Sequence, residues 1–269
     1  MEAVAATAAP ADDALAARTR TGDREAFIAL YEPHFGGVFD FVLRVVRDRD
    51  EATAVVRRAI AKAWNLFPER GAPPALLYVL ARSCASEELR QHRRRNSALR
   101  TDREGLDFTQ IDADRLSNRS AVLFDREFVE LVWDSAAALS VEEYSLLDLH
   151  VRRELGAEEL AEHLSSESDS VQTRLARLRE SFDEAVISTL LATRCRRNCH
   201  QLDVLLAELD VDGITPKVRM AIQQHVRRCD RCQESKRGFV SPTEVLGSFA
   251  LMSFDPGVRV SAWKSIPAA

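Results

Sequence analysis

Residues that break or extend a chain are scarce in this sequence. It has 10 glycines and 9 prolines in 269 residues, so few positions favour tight turns or bulges. Runs in which Val, Ile or Thr alternate with polar residues are nearly absent, which leaves little from which to build a sheet. No apolar run approaches the roughly 20 residues a helix needs to cross a bilayer. The Ala-rich opening also lacks the basic flank and long apolar stretch of a secretion signal. The sequence therefore predicts a cytoplasmic protein with no membrane partner. Only five cysteines occur, and four of them fall between 195 and 232. In a reducing compartment that clustering points to metal ligation or redox chemistry before structural disulfides.

What is abundant is Ala, Leu, Arg and Glu at helical spacing, which predicts an all-α protein. The length suits two or three domains of roughly 100 to 150 residues each. With 37 Lys and Arg against 42 Asp and Glu the net charge is −5, so the chain is not uniformly coated for nucleic acid. The charges are nevertheless clustered. "LRQHRRR" at 89–95 and "RCRR" at 194–197 are basic, and "EELAEHLSSESD" at 158–169 is acidic.

The pattern divides the chain into six parts: a disordered start at 1–22, a helical domain at 23–100, a linker at 101–125, a second helical domain at 126–192, a small metal-binding domain at 193–238 and a tail at 239–269. In the first domain, apolar residues from Phe27 to Val46 recur at three- and four-residue steps. A helix over 50–67 is closed by "PERGAPP", and another starts near Ala75 and runs into the basic cluster. Trp64 and Phe67 suit core packing better than base stacking, and Cys84 suits a buried helical position. In the second domain, helices are predicted at 128–138, 141–152, 157–164 and 169–191. Ser140 with Glu143 provides a capping box for the second of these. In the tail, "SPTEVLGSFALM" reads as one further helix for packing or for a partner.

A short helix, the turn "SSESDS" and a basic helix form a helix-turn-helix pattern. Ser170, Gln172, Thr173 and Arg174 have the polar reach needed at base edges, and Arg177 and Arg179 suit phosphates. Arg90, Arg93, Arg94 and Arg95 suit the same backbone-gripping role. Further on, Cys199 is followed after 25 residues by His225-x3-Cys229-x2-Cys232. With His225 and Cys229 one turn apart on a helix face and Cys232 where that helix ends, the four predict one tetrahedral Zn2+ site. Four protein ligands close such a site, so the expectation is a structural metal and no enzyme. Cys195 is an alternative ligand or a resolving thiol, since Arg194, Arg196 and Arg197 favour its thiolate.

Two long segments carry a family resemblance. "DREAFIALYEPHFGGVFDFVLRVVRDRDEATAVVRRAIAKAWNLF" with "PPALLYVLARSCASEELRQHRRR" resembles sigma region 2, and "ALSVEEYSLLDLHVRRELGAEELAEHLSSESDSVQTRLARLRESF" resembles sigma region 4. No region 3 lies between them, the layout of extracytoplasmic-function sigma factors of the sigma-70 family. "CHQLDVLLAELDVDGITPKVRMAIQQHVRRCDRC" resembles the zinc-binding anti-sigma domain. The resemblance implies a bacterial initiation factor with core RNA polymerase and promoter DNA as partners. It implies polymerase binding at Val55, Val56, Arg57 and Ile60, contact of Arg82 with DNA, and modulation by the fused zinc domain or a separate anti-sigma protein. The chain departs from the family where the clamp-binding helix is usually acidic: here it reads "ATAVVRRAI", with Ala54, Arg57 and Arg58. That departure leaves open a sigma-like adaptor that binds DNA or protein without supporting initiation, or a redox or zinc sensor.

Overall fold

The computed structural model describes residues 10–70, 74–94, 106–112, 115, 125–164, 166–209 and 214–267. Among them the architecture is all-α, as expected. Among the described residues the one β element is an isolated antiparallel bridge between Ile111 and Phe249. No described helix is long and apolar enough to cross a membrane. The chain divides into two compact units, each built from segments far apart in sequence: 1–106 with 158–168 and 251–269, and 107–157 with 169–250.

The first unit contains α1 (Pro10–Arg20), α2 (Arg24–Tyr31), α3 (Phe35–Val46), α4 (Arg49–Arg70) and α5 (Pro74–Arg94). Its centre is α3, apolar on nearly every side, with Phe35, Val38, Phe39, Phe41, Val42, Leu43 and Val46 all buried. A helix apolar all round must be enclosed, and α4 and α5 both pack against it. Arg47 ends α3 in the left-handed region at φ 60°, donating its N–H to the Leu43 carbonyl. Phe67 is fully buried, and it and Trp64 both pack their rings against Phe27. These are the core aromatics the sequence suggests, and Cys84 is likewise buried.

The chain start departs from expectation. Instead of a disordered 1–22, residues 10–20 form α1, which packs against α2, and Thr19 is buried. Its composition is poor in large apolar residues, but Ala side chains cost little entropy in a helix and a neighbouring surface suffices to hold it. Residues 1–9 lie outside the described residues.

The second unit contains α6 (Arg126–Ala137), α7 (Val141–Val151) and α9 (Ser168–Leu190), while α8 (Ala157–Leu164) falls almost wholly in the first. The Ser140–Glu143 capping box is formed in both directions. Most of the linker 101–125 lies outside the described residues, but its described part is docked. Phe108 stacks on Trp133 with ring centroids 4.7 Å apart, and Asp112 and Ala250 exchange backbone hydrogen bonds with Ser248 and Gln110.

The region from 193 onward is divided differently from the expected domain and tail. The segment that carries the clustered Cys and His residues belongs to the same compact unit as α6, α7 and α9. Its helices are α10 (His200–Leu209), α11 (Pro216–Val226) and α12 (Asp230–Arg237). The tail forms two helices: α13 (Pro242–Gly247), packed on α6 and α7, and α14 (Pro256–Trp263), packed on α4 in the first unit. Asp183 of α9 fixes the start of α13 by accepting from Thr243 N–H at 2.8 Å and from the Ser241 hydroxyl at 3.1 Å. In the first unit, Phe254 packs against Phe35 and Phe39, and Trp263 against Phe35.

Candidate metal centre

Cys199, His225, Cys229 and Cys232 converge, with one potential ligand atom from each within 4.8 Å of all the others. The local chain explains why. After Leu190 the backbone widens into a π-turn at Leu191–Cys195 and then tightens into a 3-10 turn at Arg196–Asn198, and Cys199 sits extended immediately before α10. Pro216, capped by Thr215, starts α11, which carries His225 near its end. The expected continuous helix through Cys229 is not observed. The helix α11 stops at Val226, and Cys229 is an extended residue at the N-cap of α12, with Cys232 in that helix's first turn. With this break, both thiols of Cys-x-x-Cys lie close to His225.

Distances among the four match the edges of a tetrahedral site. Bonds of about 2.3 Å to sulfur and about 2.0 Å to nitrogen give tetrahedral edges of roughly 3.8 Å between sulfurs and roughly 3.5 Å between nitrogen and sulfur. The observed separations are 3.8 Å for Cys199 Sγ to Cys229 Sγ, 3.4 Å for Cys199 Sγ to His225 Nε2 and 3.3 Å for His225 Nε2 to Cys232 Sγ. A set of three thiols and one imidazole can hold a metal ion such as zinc.

The surroundings tune these groups in opposite directions. The Cys232 backbone N–H pulls the Cys229 thiol below its ordinary range, whereas burial pushes Cys232 up to about 12 and lowers His225. Cys229 precedes the N-terminus of α12, whose partial positive charge favours a thiolate in the same direction. A buried thiol that resists ionisation alone would gain a compensating charge from a cation, so metal uptake by such a set would release protons. Around the cluster lie Leu191, Leu202, Val218, Ile222 and Val226, all buried. Arg231 donates to the Asn198 carbonyl at 2.6 Å, tying α12 to the Cys199 turn, and Gln223 donates to Glu184, tying α11 to α9. Cys195 is buried in the same apolar cluster but is not among the four converging residues.

The candidate nucleic-acid residues are mostly on the surface. On α9, Val171, Leu175, Leu178 and Phe182 face inward, while Ser170, Gln172, Thr173, Arg174, Arg177 and Arg179 are all exposed. Arg174 is within 3.6 Å of Glu142. In the first unit, Arg90 and Arg94 are exposed at the end of α5 and Arg82 is half-buried. The Arg93 side chain and all of Arg95 lie outside the described residues. Of the four candidate polymerase contacts, Val55, Val56 and Ile60 are fully buried and Arg57 is exposed.

One grouping escapes sequence inspection: Glu51, Glu88 and His92 bring a carboxylate, a second carboxylate and an imidazole together. Glu88-x3-His92 is a visible same-face spacing, but nothing local marks Glu51 as its partner. No known family model matches this chain, and no curated protein matches it.

Proposed function

We propose that this protein is a DNA-binding transcription initiation factor of the extracytoplasmic-function sigma type, acting in the cytoplasm with core RNA polymerase and carrying a structural Zn2+ in a fused regulatory domain. The observation that carries the proposal is the outer face of α9, where three short polar side chains and three arginines share the exposed surface of a helix anchored by a continuous apolar stripe. That is the division of labour a recognition helix needs: short polar groups for base edges and guanidiniums for phosphates. The Cys3His cluster supports a zinc-dependent fold for 199–237, and the absence of an open coordination position supports a structural rather than a catalytic ion.

Run-off transcription with core polymerase, using the full chain with and without bound zinc on a promoter library, tests the proposal. Initiation that disappears when Arg174, Arg177 and Arg179 are replaced by Ala is the expected result. No initiation on any promoter in either zinc state defeats it.

A second reading is favoured by α4. Its apolar residues Val55, Val56 and Ile60 are consumed in the core, and Arg58 is paired with Glu88, so the helix offers a basic rather than an acidic face. On this reading the chain is a sigma-like adaptor that binds DNA or protein without supporting initiation. Pull-down of core polymerase separates the two: robust capture weakened by Arg57→Glu supports the initiation factor, and no capture supports the adaptor.

A further inference from the structure

We propose that Glu51, Glu88 and His92 form a second divalent-cation site, of nitrogen and oxygen ligands, that clips the start of α4 to the end of α5. Glu51 lies in the first turn of α4, and Glu88 and His92 lie one turn apart on α5. His92 Nε2 is 3.4 Å from Glu51 Oε1 and 3.3 Å from Glu88 Oε1. A charge-assisted hydrogen bond between such groups draws them to about 2.7–2.9 Å. Ligands held at about 2.0–2.2 Å around one tetrahedral ion lie roughly 3.3–3.6 Å apart. The observed separations fall in the second range, as do those between nitrogen and sulfur in the Cys3His cluster.

The surroundings fit the same assignment. Glu88 is divided between two tasks, for its Oε2 accepts from Arg58 at 2.5 Å while its Oε1 faces His92. A carboxylate oriented by a guanidinium through its outer oxygen is the usual support for a metal ligand. The Glu88 side chain is only 8% exposed and that of His92 15%, while Glu51, at 31%, leaves the cluster open to an ion from solvent. A cation bound there adds positive charge beside two carboxylates, one of which already accepts from Arg58. One imidazole and two carboxylates suit zinc or manganese, and with three protein ligands a water completes the coordination. His92 lies two residues before the end of α5 at Arg94, so an ion there fixes that helix end.

Cobalt(II) titration of the metal-stripped, tag-free full chain tests this. Two equivalents are expected: one with the intense near-ultraviolet thiolate-to-cobalt band, and a weaker one with d–d bands alone. Glu51→Gln and His92→Gln should weaken only the second by about tenfold or more, and Cys229→Ser should alter only the first. Far-ultraviolet circular dichroism checks each variant. If His92→Gln loses helicity, the half-exposed Glu51→Gln alone decides. A single equivalent in the native chain, or a second one unchanged by Glu51→Gln, overturns the proposal and leaves the cluster an ion pair.

Discussion

One oxygen of Asp40 accepts a hydrogen bond from Arg44 Nε at 3.0 Å and another from the backbone N–H of Met252, 212 residues away, also at 3.0 Å. Both side chains of the ion pair are essentially inaccessible to water. A buried carboxylate is costly unless it is paired and its lone pairs are used, and the returning tail supplies one of those bonds. Asp40→Ala removes the carboxylate from Arg44 and from the Met252 N–H. It should destabilise the protein by about 3–5 kcal/mol, measured by urea denaturation, and should make the chain after Ala250 sensitive to protease under native conditions. A loss below about 1 kcal/mol, the worth of one ordinary hydrogen bond, would contradict a pinning role.

Trp263 makes the second attachment of the tail in this unit. Its indole N–H donates to Glu32 at 2.6 Å, its carbonyl accepts from Arg24 at 2.8 Å, and Arg259 pairs with the same Glu32. Because Trp263 is only 7% exposed and its ring packs against Phe35, Trp263→Ala should cost about 3–5 kcal/mol. Trp263→Phe, which keeps most of the apolar area and loses the N–H donor, should cost less. Equal losses in the two denaturation curves would mean that the hydrogen bond, not the packing, holds α14.

These attachments mark the limit of what sequence inspection could find. Helix positions are written locally: Ser140 with Glu143 announces α7, and the stripe Val171, Leu175, Leu178, Phe182 announces α9. The Cys and His spacing is also local, so the converging set Cys199, His225, Cys229 and Cys232 was legible. Its geometry was less so, because the break between Val226 and Cys229 carries no proline or glycine to betray it. Packing of Phe254 and Trp263 on Phe35 has no periodic signature at all, since nothing in a short tail says which distant surface it covers. The grouping of Glu51 with Glu88 and His92 was hidden for the same reason.

Metal removal should act on one part of the second unit. With the ion absent, Cys199, Cys229 and Cys232 lose the charge that holds them together, and α10 to α12 retain only a modest apolar cluster. Chelation should release about one zinc per chain from the thiolate site and reduce amide protection chiefly over 199–237. Cys232→Ala should lose this zinc, whereas Cys195→Ala should retain it. Zinc content by elemental analysis and hydrogen exchange by mass spectrometry provide the readouts. Zinc loss from Cys195→Ala would place that thiol in the coordination sphere.

Acid should loosen the start of α6. Asp125 caps that helix through Phe128 N–H at 2.9 Å and pairs with Arg194 at 2.7 Å. Arg194 first, and then the Phe128 N–H, hold its carboxyl below the ordinary value of 3.8. A carboxylate whose folded value is lowered stabilises fully above the unfolded value, and that contribution is lost as pH falls through the folded one. The side chain is 58% exposed, so the ion pair itself adds little and the cap dominates. Asp125→Ala should therefore cost about 1 kcal/mol at neutral pH. The gap between the variant and the native protein should narrow below pH 3.8. Melting curves across that range supply the check, and a gap independent of pH would rule out the cap as its source.

The outer face of α9 yields the sharpest test of DNA contact, because its residues divide by the kind of contact they can make. Arg177 and Arg179 are exposed and distant from the helix start, so replacing them leaves the buried stripe intact. If each neutralises one phosphate, each replacement by Ala should lower the slope of log affinity against log salt by about 0.9, because one fewer counterion is released on binding. The loss should be the same for every sequence, since phosphates carry no base identity. Gln172→Ala and Thr173→Ala, nearer the N-terminus where a recognition helix enters the major groove, should leave the slope unchanged and instead reduce discrimination among sites by about 1–3 kcal/mol. Fluorescence anisotropy on selected and scrambled duplexes over a range of salt separates the two behaviours. An Arg177→Ala, Arg179→Ala double variant with the native salt slope would remove α9 from the DNA interface, and the exposed arginines would then be solvated surface charge.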